Sequence, residues 1–222
     1  MITARQTQEA KHFIERIGQA AFPCVGAKSA AASNNIEFHE AGDLRSGEGD
    51  EPLLRRLQAF ATNASDEALF VSFIALFPDT PSLDEASFER ALWQRLQALH
   101  ELDVADFAWD PSVSDQPGSA QFSMSLGGRA WYVIGLHPGS SREARRFRRA
   151  ALVFNLHSQF ETLREDGRYD KLRESIIERD IAYSGTRNPM LAVHGETSEA
   201  RQYSGRQVGA EWQCPFSARR PE

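Results

Sequence analysis

Cys24 sits in FPCVGAK, Phe22 to Lys28, and Cys214 in WQCPF, Trp212 to Phe216; the chain has no other cysteine. A thiol in such a setting can be a disulfide partner, a metal or cofactor ligand, a redox group, or a small apolar side chain. No CxxC occurs, so a thioredoxin-like role and a zinc cage lack support. A reducing compartment disfavours a structural disulfide. For Cys24 an inert buried thiol and a ligand remain open. Cys214 is expected as a buried thiol that closes the tail over the core with Trp212, Pro215 and Phe216.

A second concentration of chemistry is LHPGSSREARRF, Leu136 to Phe147. His137 stands at a strand end, a tight turn follows, and Arg142, Arg145, Arg146, Arg148 and Arg149 crowd together with Glu143 as the single acid. A charge run is usually a solvated surface. At this density, however, guanidinium groups repel one another without a counter-anion, and their geometry suits carboxylate or phosphate. The net charge is −6, which argues for a local anion site rather than a nucleic-acid footprint. Two propionates or a nucleotide are fitting anions. His157, in FNLHSQFE, follows a strand by about one turn, where a lone histidine is more often a cap than a ligand. Nothing around His12, His39, His100 or His194 raises them above that background. GxGxxG, Walker A, GxSxG and HExxH are all absent, so dinucleotide, phosphoryl, hydrolase and zinc-protease chemistry have no motif behind them.

The elements that must hold these residues can be read from periodicity. Ala10, Phe13, Ile14 and Ile17 predict a helix from about Gln6 to Ala20, stopped by Pro23. Ile36 and Phe38 alternate in a short strand. Leu53, Leu54, Leu57, Phe60 and Ala61 mark a second helix. LFVSFIALF, Leu69 to Phe77, is apolar almost throughout, as expected of a strand covered on both faces. Ser82-Leu83-Asp84-Glu85 reads as a capping box opening a long helix whose core face carries Phe88, Leu92, Leu96 and Leu99. Phe122, Met124 and Leu126 lead to Gly127-Gly128 and RAWYVIGL, a hairpin signature. AALVFN, Ala150 to Asn155, predicts another strand. Asn155 is placed to cap the following helix, with Phe160 and Leu163 and then Leu172, Ile176 and Ile177 facing inward. Beyond Ile181 the chain is irregular, and such a tail is more often functional than idle. The expectation is one α+β domain over residues 1–222: an antiparallel-rich sheet with a Gly-Gly hairpin, flanking helices and a long irregular C-terminal tail.

Composition sets the outer bounds. Apolar residues at 41% and charged residues at 25% are ordinary for a globular chain. No apolar run approaches the roughly 18 residues of a membrane span. The N-terminus lacks a signal-peptide apolar segment, so a cytoplasmic address is expected, with no membrane or nucleic-acid partner.

The order FPCVGAK, GGRAWYVIGLHPGSSREARRF, LVFNLHSQFETLR, NPML, QYSG, WQCPF resembles the YqcI/YcgG family from about Phe22 to Phe216. Within that family it is similar to the haem-dependent N-hydroxylases that oxidise guanidino nitrogens, of the guanitoxin-pathway and D-cycloserine-pathway type. The resemblance implies haem b and N-hydroxylation of arginine or an arginine-derived small molecule, with an electron donor or peroxide source as a further partner. Homodimeric assembly is compatible with it. On that reading Arg142, Arg145 and Arg146 hold the propionates, and Phe22 and Cys24 wall the porphyrin. The iron ligand is His137 first, Cys24 as the rival and His157 third. His157 otherwise serves as a distal group for proton delivery, with Glu161 one turn on, beside Glu143, as an acid for the substrate's cation. A haem-binding sensor or carrier without turnover is the competing reading.

Overall fold

The structure is a computed structural model, described over residues 7–65, 69–191 and 195–219. Gln6, where the first helix was expected to begin, and His194 lie outside the described residues. Among the described residues the chain forms a mixed α+β fold around a five-stranded sheet, ordered β1-β2-β5-β4-β3. The strands are β1 (Ile36–Glu40), β2 (Ser72–Phe77), β3 (Met124–Leu126), β4 (Arg129–Leu136) and β5 (Ala150–Leu156). β1 runs parallel to β2, and every other pairing is antiparallel. β3 and β4 form the hairpin, turned by Gly127 and Gly128 at φ +62° and +68°, backbone angles that suit residues without a Cβ.

One face of the sheet carries the large core. Phe73, Ala75 and Phe77 of β2, Trp131 and Val133 of β4, and Leu152 and Phe154 of β5 all turn toward it. Helices α3 (Asp50–Asn63) and α4 (Glu85–Asp103) close that face. Phe88, Leu92, Leu96 and Leu99 are fully buried along α4, each contributing roughly 1.5–3 kcal/mol. α4 is capped by Asp84, whose carboxylate accepts from the Ser87 N–H at 2.7 Å, and not by the expected Ser82. The two short polar residues compete for one turn, and the one adjacent to the first helical residue wins.

The other face is thinner. Ile74 and Leu76 of β2, Leu136 of β4, and Ala151 and Val153 of β5 meet Phe13 and Ile17 of α1 (Gln8–Gly18), Phe22 and Phe147. α2 (Val25–Ala32) lies here too, although no helix is expected from VGAKSAAA. It has no apolar stripe and buries only Ala30. Its start is set by Cys24, whose sulfur accepts from the Ala27 N–H at 3.4 Å. The helix after β5 is two helices, α5 (His157–Glu165) and α6 (Tyr169–Ser184), separated at Gly167, φ +65°. Leu156, and not Asn155, precedes α5; Asn155 instead accepts from the Ser72 hydroxyl at 2.7 Å across the sheet. α6 buries none of its residues fully. In the tail, α7 (Ala200–Tyr203) drives Tyr203 into the core beside Trp93. No helix among the described residues is long and apolar enough to cross a membrane.

Candidate functional site

Between the thin face of the sheet and helices α1, α2, α5 and α6 lies a cavity of about 370 Å³, within the usual range for small-molecule sites. Its floor is built by strand alternation. Ser72 and Ile74 of β2, Tyr132, Ile134 and Leu136 of β4, and Val153 and Asn155 of β5 point into it. Its walls are aromatic and aliphatic: Phe22, Phe70 and Phe160, with Leu172, Ile176 and Ile177 from α6. Phe70 takes φ +56°, a costly conformation for an aromatic residue, and its ring packs so closely on Gly26 that a Cβ there would lie 3.1 Å from it. Backbone strain of this kind concentrates at ligand clamps.

Cys24 and His157, far apart in sequence, both line this cavity. Burial pushes the Cys24 thiol up, against the lowering effect of the backbone N–H groups of Ala27 and Gly26. His157 opens α5 with its side chain 12% exposed, and its Nδ1 lies 3.5 Å from Glu161 Oε1. Glu161 itself does not line the cavity; it faces outward and is ion-paired with Arg164.

The arginine run divides. Arg142 lines the cavity, ion-paired with Asp180 and donating to the Thr186 carbonyl at 2.8 Å. Arg145 lines it as well and meets no carboxylate among the described residues: it donates to the carbonyls of Gly135, Tyr203 and Gln202 at 3.1, 3.0 and 2.9 Å. Burial lowers the pKa of its guanidinium. Arg146 turns the other way, donating to the Ser140 and Ser141 carbonyls and to Glu143. Glu143 is in turn held by Arg16 at 2.6 Å, and neither Glu143 nor Arg146 lines the cavity. Arg148 and Arg149 gather around Glu9 on the outer surface.

His137 is not in the cavity. One residue past the end of β4, it continues the row of Trp131, Val133 and Gly135 and points to the opposite face of the sheet. It is 2% exposed there, stacked on Phe88 of α4. Strand alternation accounts for the difference: at a strand end, one step in sequence moves a side chain from one face to the other.

Tyr132 and Glu199 are among the cavity residues that no sequence motif singles out. Tyr132 lies on the floor with its hydroxyl bonded to Gln202 at 3.1 Å. Glu199, at the start of α7, lines the cavity with Oε1 2.6 Å from both the Ser123 and Tyr203 hydroxyls. Burial pushes its pKa up to about 7. Tyr203 belongs to the QYSG segment, which was the only available pointer to this corner.

The chain matches the YqcI/YcgG family model over residues 11–217. It belongs to the YqcI/YcgG family. Its relatives include two Bacillus subtilis (strain 168) proteins, both described as uncharacterized. YqcI is 27% identical over 217 residues, covering 91% of this chain and 84% of the relative. YcgG is 23% identical over 209 residues, covering 88% and 81%. No solved structure matches the chain significantly. All six segments that carry the resemblance fall within the matched span, and five of them, FPCVGAK, GGRAWYVIGLHPGSSREARRF, LVFNLHSQFETLR, NPML and QYSG, contribute residues to the lining of this cavity.

Proposed function

We propose that this member of the YqcI/YcgG family binds haem b in the cavity and N-hydroxylates a guanidino nitrogen of arginine or an arginine-derived small molecule. The observation that carries the reading is the donor set of the cavity. A thiol and an imidazole, from Cys24 and His157, face a largely apolar space that is also lined by Arg142, Arg145, Arg164 and Arg173. That combination fits a flat apolar macrocycle with anionic arms. Leu172, Ile176 and Ile177 of α6 line the space yet none is fully buried, which suits an apolar occupant. Among the described residues no three His, Cys, Asp or Glu side chains gather into a metal cage, and haem needs only one protein ligand.

His157 is the ligand this geometry favours. A carboxylate behind Nδ1, here Glu161, is the arrangement that fixes the tautomer and direction of a metal-bound imidazole. Cys24 then walls the pocket beside Phe22, its thiol kept neutral by burial. Arg145, whose partners among the described residues are carbonyls, would receive a propionate, with Arg142, already paired with Asp180, beside it. Haem, when bound, supplies the redox iron for insertion of one oxygen atom into a guanidino N–H. With dioxygen the second atom leaves as water, taking two protons and two electrons from an external donor; with peroxide no donor is needed.

Purified protein expressed with adequate iron should carry a Soret band and about one haem per chain. Incubation with arginine and related guanidines, a reductant and oxygen should give a product heavier by one oxygen. Protein that is colourless and takes up no added haemin removes the reading. Haem-loaded protein that consumes no oxygen with any guanidine is a sensor or carrier instead.

A further inference from the structure

Two acids line the cavity, and they differ in one respect. Asp180 is ion-paired with Arg142 and accepts from the Ser184 hydroxyl at 3.0 Å, so its charge is already answered. Glu199 has no basic side chain within salt-bridge distance among the described residues. Its hydrogen bonds there are those of Ser123 and Tyr203, and both converge on Oε1. The same two hydroxyls also reach the Trp131 carbonyl of β4, at 3.0 and 3.1 Å, and the Met124 N–H of β3 donates to Tyr203 at 3.1 Å. Glu199 is therefore locked to the sheet through one oxygen. We infer that Glu199 is the cation seat of the cavity: Ser123 and Tyr203 fix Oε1, and the carboxylate receives the guanidinium of the substrate.

The inference rests on the guanidino reading above and names the residue that reading lacked, since Glu161 and Glu143 do not line the cavity. A carboxylate inside a protein is ordinarily paired, and removing its natural partner leaves a charge that is costly to keep. A guanidinium supplies parallel N–H donors to such a group. The other charged and titratable groups of the cavity include His157 of α5, Arg173 of α6, Arg142 paired with Asp180, and Arg145, held by carbonyls that include those of Gln202 and Tyr203 on α7. Arg164 of α5 acts on it at longer range, but is itself committed to Glu161 and stacked over Tyr169. Tyr132 of β4 and Tyr203 of α7 are phenols whose pKa values burial raises, so they stay neutral at ordinary pH. Glu199, titrating near 7, is then the group that binding of a cation must ionise.

The test is equilibrium binding of methylguanidine and L-arginine to the full-length protein, by calorimetry, between pH 5.5 and 8, with L-ornithine as the ammonium control. With an ionisation near 7, affinity for the guanidines should weaken roughly tenfold from pH 8 to pH 6. Glu199→Gln should weaken it at least tenfold at pH 8 and flatten the pH profile, while keeping the Soret absorbance of the parent. Equal affinity and slope in the variant overturn the inference, and so does a parent that binds no guanidine at any pH. Should the variant fail to fold, the parent profile decides alone: a flat one overturns the assignment. Colourless protein that still binds guanidines with this slope sinks the haem reading and keeps Glu199. Haem-loaded protein with a flat profile does the reverse.

Discussion

His137 lies flat against Phe88, ring centroids 4.1 Å apart and planes 15° from parallel. The stack joins the end of β4 to the first turns of α4, on the face of the sheet away from the cavity. It explains the tight backbone around it: a Cβ on Gly135 would come within 2.7 Å of the Phe88 ring, and one on Gly139 within 2.2 Å of the Leu83 carbonyl. His137 thus packs within the scaffold, with Nδ1 buried and without a hydrogen-bond partner among the described residues.

A pH dependence follows. Burial lowers the His137 pKa from 6.5 to about 4. The unfolded chain therefore takes up a proton below 6.5 that the folded chain refuses until about 4. Stability from this residue is complete above the unfolded value and is lost as pH falls through that window, by at most about 3 kcal/mol. Burial lowers His100 as well, which adds in the same direction. The readout is accordingly a difference: urea midpoints from pH 7 to 4 should fall less steeply for His137→Leu than for the parent. The variant should also keep the parent haem spectrum. A parent whose stability is flat to pH 4 would contradict the packing role.

The arginine run makes a second prediction. Arg145→Ala strips donors from three carbonyls at once, so it should cost roughly 2–3 kcal/mol and weaken haem retention. Arg146→Ala removes donors from the Ser140 and Ser141 carbonyls and breaks an exposed pair with Glu143, so it should cost less, roughly 1 kcal/mol, with retention unchanged. Urea unfolding and Soret absorbance after gel filtration measure both. Equal losses would mean that the two side chains share one task.

What sequence could and could not show has a consistent physical basis. β2, α3, α4 and the Gly-Gly hairpin were legible because their apolar spacing or turn residues are local signals. α2 was not, because VGAKSAAA has no stripe to read, and its cap is a cysteine sulfur. Asn155 has the chemistry of a cap, but a partner distant in sequence, Ser72, claims it. The cavity was legible in its residue types, through the FPC and NLHSQ segments. Of the three arginines named with it, Arg142 and Arg145 line the cavity and Arg146 does not, because neighbours in sequence leave the chain in opposite directions. Glu199 was invisible. A single acid in an aperiodic tail becomes a site residue only when the fold brings Ser123 and Tyr203 to it.

The cysteines should remain two free thiols. Cys24 packs with the cluster on the cavity face, and Cys214 against the cluster on the other face. Burial raises the Cys214 pKa to about 12, so little thiolate exists at neutral pH. Non-reducing intact mass should match the fully reduced chain, and Cys214, half-buried and not fully buried as expected, should react with a thiol reagent more slowly in the native protein than in the unfolded one. Rapid labelling of Cys214 in native protein would show that the tail does not close over the core as the structure has it.

On the proposed haem reading, the last prediction separates His157 from Cys24 as iron ligand. Imidazole and thiolate ligation give different bands in the ferrous–CO state, so the experiment compares His157→Ala and Cys24→Ser in that state. The structure gives each residue a distinct supporting partner: Glu161 for the imidazole, and the Ala27 N–H for the sulfur. A carboxylate partner strengthens an imidazole ligand, whereas Cys24 would have to lose its proton against the cost of burial. His157→Ala should therefore abolish the parent spectrum, and Cys24→Ser should preserve it. Glu161→Gln, which keeps the shape of the side chain and removes its charge, should retain haem but shift its reduction potential upward, because a less basic imidazole stabilises the ferric state less. Loss of the parent bands in Cys24→Ser, with His157→Ala unchanged, would make this a thiolate haem protein and return His157 to the wall of the pocket.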